Sequence, residues 1–538
     1  MTSLIKVLTS VTDIKASEQQ SHVVVSGPLQ ITDTVNTAQS YQLSPSPPIS
    51  ALWTINPPSN QTIINRNIMV RSYLQFDFTG ALPQIGTNDS LAAFPFSSLV
   101  DVATLTINGE STSENVSDKL AAFLCYGNTS DDRKKKMSLS TAQPDSYQQY
   151  SDWTLYGSAR NPLAFWGENS SEPTRGGFEY LQTGPFQFQV TVTEPLFLSP
   201  LLQNIGSPEE GMINVNQLNV NLRFKSDTSR AWSHASSGNL ITAVTTTFWR
   251  APELLIQYQT PSMLERLPLV QSLPYTKSNE YIKTVPTLAP SASTTIISDS
   301  IRLSQIPRCI YLFCRQSDGT TNYTTPQSFL AINNISVNWG NQSSLFSQST
   351  VQDLYAMSVE NGLNVDFPSF TKYRGSVICI MLGKDLGLLD SEAPGCQGSY
   401  TIQVQMNVTN KSSVAFNSQF YMCVLNEGVF SIAQNSARAS LGNLTPQLVI
   451  QAKDQEAISY NDYISMRGGS FWTSLKSIVG KVARGVSQIA GPLASALPEF
   501  APIISGVGSV AGPLASALGA GRTVGGSSRK QLHNRRIR

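Results

Sequence analysis

Histidine is nearly missing from this chain of 538 residues: it occurs three times, at His22, His234 and His533. That is too little for a multi-histidine metal site or for acid–base chemistry built on imidazole. Charge is also scarce, at 14% Asp, Glu, Lys and Arg. The six cysteines, Cys125, Cys309, Cys314, Cys379, Cys396 and Cys423, form no C-x-x-C pair, so neither a zinc ribbon nor a compact disulfide framework is indicated. Cys309 and Cys314 stand five apart in a strand-like run, which points them to opposite faces and away from a shared metal. A phosphate-binding G-x-x-x-x-G-K-[ST] loop is absent as well. From Met1 to Asp13 a short mixed stretch with one Lys offers no signal-peptide core, so no secretory signal is expected. Eleven N-x-S/T sequons, among them Asn60, Asn128, Asn334 and Asn443, then read as by-products of composition, and the compartment as reducing, cytosolic or nuclear. These absences argue against an enzyme and imply no cofactor.

What is present is a β pattern. At roughly 150 residues per domain the length predicts two large domains or three ordinary ones. Apolar residues make up 40% of the chain, separated mostly by Asn, Gln, Ser and Thr, a balance that favours strands. Phe186, Phe188, Val190 and Val192 alternate with polar residues, as do Leu218, Val220, Leu222 and Phe224, and Ile402, Val404, Met406 and Val408. Leu74, Phe76 and Phe78 close an earlier run of the same kind. Each predicts a half-buried strand. Cys309 to Cys314 and Val377 to Leu382 are apolar on both faces and predict central strands covered on each side. Loops rich in Pro, Gly, Ser and Asn divide these strands, the pattern of antiparallel sandwiches.

Two predicted helices interrupt the strands in the same way. After the strand Val102 to Ile107 and the turn Asn108-Gly109, Ser111-Thr112-Ser113-Glu114 forms a capping-box pattern; Val116, Leu120, Phe123 and Leu124 mark a helical face, and Gly127 stops it. After Ile335 to Val337 and Asn338-Trp339-Gly340, Ser349-Thr350-Val351-Gln352 repeats the pattern; Val351, Leu354, Tyr355 and Val359 form the face, and Gly362 stops it. The two glycines lie 235 residues apart, and the shared order of parts points to a structural duplication with its join near Gln259-Thr260-Pro261-Ser262. The long connection Gly127 to Pro185, with the charged run Asp131 to Lys136, exceeds ordinary loop length and suggests contacts or an exposed tower.

Three segments, ELLIQYQTPS (Glu253 to Ser262), IRLSQIPRCIYLFCR (Ile301 to Arg315) and FLAINNISVNWGNQSSLFSQSTVQDLYAMSVENGL (Phe329 to Leu363), resemble in order and spacing the double jelly-roll major capsid proteins of double-stranded DNA viruses. The likeness is to those of virophages, Polinton-like viruses and adintoviruses, and it covers most of residues 20 to 450. It implies an all-β chain of two tandem eight-stranded antiparallel jelly-roll sandwiches with short helices in loops, plus a C-terminal helical or flexible basic tail. The divisions would be an N-terminal arm, 1–19; a first jelly roll, 20–260; a second, 261–455; a linker with a cleavage site, 456–469; and the tail, 470–538. It also implies pseudo-hexameric homotrimers that tile an icosahedral virion shell around the genome, neighbouring capsomers and penton or minor capsid proteins as partners, and assembly in the host nucleus or cytoplasm.

The tail differs from the body. From Arg467 to Arg538 ten basic residues face one acid, Glu499, a charge of +9, which leaves 27 basic and 35 acidic groups and −8 elsewhere. Such asymmetry points the tail toward nucleic acid or anionic lipid, or marks a solubilising segment. Phe471, Trp472, Leu475, Ile478, Val479, Val482, Val486 and Ile489 follow helical spacing, with Lys476, Lys481 and Arg484 off that face, and predict a basic amphipathic, membrane-active helix. The same apolar face could equally pack under a shell. AGPLASAL occurs twice, at Ala490 to Leu497 and Ala511 to Leu518. Phe500 to Gly521 lacks charge for 22 residues, but its Pro and Gly make a poor membrane span. Arg529, Lys530, Arg535, Arg536 and Arg538 form a cationic end suited to packaged phosphates or to nuclear import. The border Met466-Arg467-Gly468-Gly469-Ser470 resembles the site cut by adenovirus-type cysteine proteases, and such an enzyme would be a further partner. Gly176-Gly177 and Gly525-Gly526 have Thr where the apolar residue is expected.

Two other classes compete with the capsid reading. A tandem β-sandwich adhesin or carbohydrate-binding protein would use its polar loops, but the missing secretion signal counts against it. A carboxylate glycosidase on the same scaffold needs a selected acid pair, and Asp353 and Glu360, at i and i+7, fit a solvated helix face better.

Overall fold

The computed structural model describes residues 21–450, apart from 127–173 and shorter connecting stretches, with the backbone alone before Ser50 and over 174–185. Eight principal strands come first: β1 (Ser21–Ser26), β2 (Ile49–Ile55), β3 (Met69–Thr79), β4 (Val100–Ile107), β5 (Glu110–Asn115), β6 (Gln187–Pro195), β7 (Leu218–Phe224) and β8 (Ala243–Gln259). Eight more follow: β9 (Val270–Leu288), β10 (Ile301–Gln305), β11 (Cys309–Gln316), β12 (Ala331–Trp339), β13 (Gln342–Leu345), β14 (Val377–Met381), β15 (Gln397–Thr409) and β16 (Phe416–Ala433). The short strand Ser293–Ile297 runs ahead of β10 along the same partner, β15.

The first half forms one sheet with the order β1-β8-β3-β6 and another with β2-β7-β4-β5. The second half repeats both orders, as β9-β16-β11-β14 and β10-β15-β12-β13. All these pairings are antiparallel, and the permutation is jelly-roll-like. The duplication read from two helices therefore extends to the strand order of both halves.

Alternation in sequence becomes alternation in burial. Phe188, Val190 and Val192 of β6, all four apolar residues of β7, and Ile402, Val404, Met406 and Val408 of β15 are buried. Phe186 departs from its expected place: it precedes β6 and is exposed. One continuous cluster of buried apolar side chains runs from Ala51 to Val449 and includes both halves. Each fully buried Val, Leu, Ile, Phe or Met side chain in it contributes about 1.5–3 kcal/mol relative to exposure. All six cysteines are buried and none forms a disulfide. The Nδ2 of the sequon residue Asn410 is committed to the carbonyls of Leu288 and Val414.

Two expectations need correction. Ser111 to Glu114 do not cap a helix; they lie in β5, which returns along β4 after the Asn108-Gly109 turn, where φ is +47° and +90°. Two successive left-handed residues are what a tight hairpin requires, and that local geometry overrides the capping pattern. The helix shrinks to α2 (Leu120–Phe123), the short turn α1 (Pro95–Leu99) lying earlier in the chain. In the second half α3 (Val351–Glu360) does form with Thr350 as its cap, but the reciprocal partner is Asp353 rather than Gln352. Leu354 is buried, whereas Val359, expected on the apolar face, is 43% exposed.

The second correction concerns β14, which is an edge strand and not a central one, with β11 its single strand partner among the described residues. Its outward backbone groups are answered by side chains instead: the Val377 carbonyl by Tyr126 Oη at 2.7 Å, the Cys379 carbonyl by Asn361 Nδ2 at 2.8 Å, and the Met381 N–H by Asp385 Oδ2 at 2.7 Å. At the other edge of that sheet, Thr276 and Ser278 of β9 donate their N–H groups to Ser199 Oγ and Glu114 Oε1 of the first half. Pro274 and Pro286 share the parity of these outward positions, so the sheet loses no ladder bond to them.

Glu194 ends the inward row of β6 at 0% exposure, where it accepts from the N–H groups of Phe96 and Ser97, at 2.9 and 2.8 Å, and from Ser97 Oγ, at 2.7 Å. It ties α1 to the sheet. Burial pushes its carboxyl up to about 7, against the three hydrogen bonds that favour the charged form. The folded state therefore binds this proton more tightly than the unfolded state, and the stability so gained is complete below pH 4.5 and lost as pH rises through 7. Thermal melts of wild type and Glu194→Gln between about pH 4 and about pH 8 should show the variant gaining on wild type as pH rises, by about 3 kcal/mol. A constant difference across that range would refute the assignment.

Candidate functional site at the seam between the halves

The first half reaches the second through β5 and the segment Val116–Tyr126, which lies along the outer face of the sheet β9-β16-β11-β14. Its aromatic contact is direct: the rings of Phe123 and Tyr126 lie 4.7 and 5.2 Å from that of Tyr311 on β11. This explains why β11 is apolar on both faces, since one faces its own core and the other faces the neighbouring half. A backbone bridge between Tyr126 and Leu363, with Asn364 N–H donating to the Cys125 carbonyl at 2.8 Å, fixes the end of the segment.

Buried charge fixes the rest. Lys119 Nζ is ion-paired with Glu114 and lies 2.8 Å from Glu280 on β9, with all three side chains no more than 10% exposed. Burial would lower the ammonium's pKa, but the two carboxylates together raise it, so Lys119 stays charged. Ser278 supports both acids, its N–H donating to Glu114 and its Oγ to Glu280.

A second cluster lies at Asp118. Lys225 Nζ is 2.5 Å from both Asp118 and Asp318, and Arg230 holds Asp318 through Nε at 2.9 Å and Nη2 at 2.6 Å. Burial opposes charge on Asp318, but Arg230 and Lys225 outweigh it and hold the carboxyl well below the usual range. Arg315, at the end of β11, donates to the carbonyls of Ser117 and Asp118, and Arg374 donates to that of Ala121 at 2.9 Å. Burial, then repulsion from Arg230, brings the Arg315 guanidinium down to about 9, still protonated at neutral pH. The residue after Arg374, Gly375, has φ +97°, and a Cβ there would meet the Phe329 carbonyl oxygen at 1.9 Å, so the chain passes this point only as glycine.

At the far end of the seam Asn108 Nδ2 donates to the carbonyls of Asn214 and Ala433, the latter in β16, and Glu110 accepts from Ala439 N–H. Gln271 of β9 links Ile213 N–H and the Gly211 carbonyl. An open polar cavity of about 420 Å³ lies where β5 ends, lined by Ser113, Glu114, Lys277 and Glu280 among others. Its two carboxylates are engaged by Lys119. Among the described residues no group of three or more His, Cys, Asp and Glu could hold a metal ion. The arrangement is mechanical: it fixes two β bodies at one angle.

Against this geometry the comparisons are decisive. Residues 3–187 match the family described as Sputnik virophage major capsid protein 1st domain, and residues 279–374 and 369–428 match that described as major capsid protein V20 C-terminal domain. Capsid protein V20 of Sputnik virophage is 30% identical over 570 residues, covering 95% of this chain and 94% of its own length. This chain belongs to the virophage major capsid protein family. Its fold is similar to the protein in the cryo-EM structure of Sputnik virophage, with a TM-score of 0.71, 28% identity and coverage of 84% of this chain and 93% of that one. The mavirus major capsid protein shares the fold, with a TM-score of 0.58 at 14% identity over 78% of this chain and 94% of that one. As a member of the virophage major capsid protein family, the chain is a viral structural protein that acts in the virion and associates with itself.

The site residues expected from sequence lie outside the described residues: Met466 to Ser470, the helix from Phe471 and Trp472 to Val482, and the basic positions Lys476, Lys481, Arg484, Arg529, Lys530, Arg535, Arg536 and Arg538. No helix among the described residues is long and apolar enough to cross a membrane. Asp353 and Glu360, weighed as an acid pair, serve other ends: Asp353 closes the cap of α3 and Glu360 lies 3.5 Å from Lys384. The seam itself was missed. One signal was available, since Arg315 directly follows a strand apolar on both faces and Lys119 precedes the apolar run Leu120 to Leu124.

Removing Lys119 leaves two buried carboxylates facing each other without a cation. Lys119→Met should cost about 3–5 kcal/mol in thermal or urea unfolding, while the triple variant with Glu114→Gln and Glu280→Gln recovers most of that loss. Additive losses in the triple variant would show that the three residues do not act as one unit.

Proposed function

We propose that the chain folds into two closed jelly-roll sandwiches, over 20–260 and 261–455, that stand side by side, and that three chains form a pseudo-hexameric trimer tiling an icosahedral shell around a double-stranded DNA genome. The observation that supports this most directly is the repeated strand permutation, β1-β8-β3-β6 with β2-β7-β4-β5 and then β9-β16-β11-β14 with β10-β15-β12-β13. Two similar bodies per chain and three chains place six wedges around an axis, and six wedges tile a plane. The buried seam supports the same reading, since a tile must not flex at its midline. Neighbouring capsomers and penton or minor capsid proteins are the partners this shell requires, and assembly takes place in the host nucleus or cytoplasm. The chain truncated after Gly469 should scatter light at about three times its monomer mass, by the closure argument above. A monomer at high concentration would sink the trimer.

In the same reading residues 1–19 are an arm, 456–469 a linker, and 470–538 a basic tail released between Gly469 and Ser470 by a viral cysteine protease. The tail then meets membrane through the Phe471 to Val482 face or packaged DNA through Arg529 to Arg538. The composition break at Met466 and the +9 charge beyond it support this division. Mass spectrometry of mature particles should find a new amino terminus at Ser470. An intact carboxyl-terminal segment in every particle would dismiss the cleavage.

A further inference from the structure

The seam sets an amine of one half against a carboxyl group of the other, among donors and acceptors that exceed what an ion pair needs. Glu280 receives three donors: Lys119 Nζ and Ser278 Oγ reach Oε1 at 2.8 and 2.7 Å, and Asn115 Nδ2 reaches Oε2 at 3.4 Å. Glu114 receives two, Lys119 Nζ and the Ser278 N–H, the latter at 3.1 Å. Lys119 therefore stands between one carboxyl group polarised at both oxygens and a second placed to exchange protons with it.

The surroundings favour loss of charge. The Phe123 ring lies 5.8 Å from Nζ, and the strand partner of Glu280 on β16 is the buried Cys423. Burial is the largest influence on the ammonium and acts against its charge, although the two carboxylates outweigh it while they are ionised. Moving one proton from Nζ to Glu280 cancels two charges at once, which a site poor in water favours. A nucleophilic amine then lies beside a neutral carboxyl group, held there by the fold at high effective concentration.

We propose that Lys119 Nζ and the Glu280 side chain condense to an amide, a covalent weld between the two halves. After that first proton transfer, the nitrogen attacks the Glu280 carboxyl carbon and Glu114 takes a second proton from it. Ser278 Oγ and Asn115 Nδ2 hold the negative oxygen of the tetrahedral intermediate. Glu114 then returns its proton to the departing hydroxyl. Ammonium and carboxylate become amide and one water, Glu114 ends as it began, and no oxidant, reductant or other reactant enters.

The open cavity lined by Glu114, Asn115, Ser278 and Glu280 gives that water its exit. Lys119 and Glu280 are 161 residues apart in the chain and meet only when both halves have folded. Because Lys119 rests charged, the bond forms after folding rather than during it. The reaction thus depends on a closed seam and then makes the closure permanent, whatever assembly the chain enters.

Mass spectrometry of the full chain under denaturing conditions is the test, because an ion pair dissolves there and an amide does not. Chains incubated in the folded state should be one water lighter than the sequence mass, and digestion should release a branched peptide joining Lys119 to Glu280. Lys119→Arg, which keeps the positive charge, should show unchanged circular dichroism and full mass. Glu114→Gln should slow the loss of water about a hundred-fold or more, the scale of a lost proton carrier. A folded wild-type chain that keeps its full mass would overturn the bond. A branch at Glu114, or a Glu114→Gln chain that condenses at the wild-type rate, would overturn the roles given to the two acids.

Discussion

A charge taken out of water must be answered within hydrogen-bonding reach, and the joint between the two halves is built on that constraint. Lys119, Asp118, Glu280, Arg230 and Arg315 are all sequestered, and each finds its partner across the joint or beside it. Apolar contact alone would let the bodies slide, because dispersion has no preferred direction. Arginine bonded to particular carbonyls does not slide. The pair Phe123 and Tyr311 provides attraction, while Arg315 and Arg374 provide register.

The same logic governs the sheet margins. A jelly-roll-like pair of sheets has open edges, and unanswered edges invite a further strand. In the second half the edges are occupied by side chains in place of strands: Asn361, Asp385 and Tyr126 on β14, Ser199 and Glu114 on β9. Three of those five, Tyr126, Ser199 and Glu114, reach across the joint from the first half, so joining the halves and blunting the edges are one event.

Much of the β framework was legible because its cause is local. Leu218 to Phe224 alternates at period two, and a residue whose neighbour faces water can only face the core. Helix starts were less legible. Ser111-Thr112-Ser113-Glu114 suits both a cap and a solvated strand, and the choice was made by Asn108 and Gly109 just before it. The doubly apolar strand Cys309 to Cys314 was read correctly as covered on both faces, but what covers the second face is Phe123, nearly two hundred residues earlier, a distance that no periodicity encodes. Burial of Val377 to Met381 was legible too, whereas its place at a margin was not, since a helix and polar side chains shield it as well as a neighbouring strand would.

Arg315 and the Ser117 carbonyl it binds are separated by 198 residues of chain. On the ribosome, at roughly 5–20 residues per second, the earlier segment waits on the order of 10–40 s before its guanidinium partner is synthesised. Through that interval Phe123 and Tyr126 have no Tyr311 to cover them, and a nascent first half presents a sticky, carbonyl-rich flank. Messages that stall or terminate inside that window would release chains prone to clump, so the pace of translation bears directly on the yield of usable subunits.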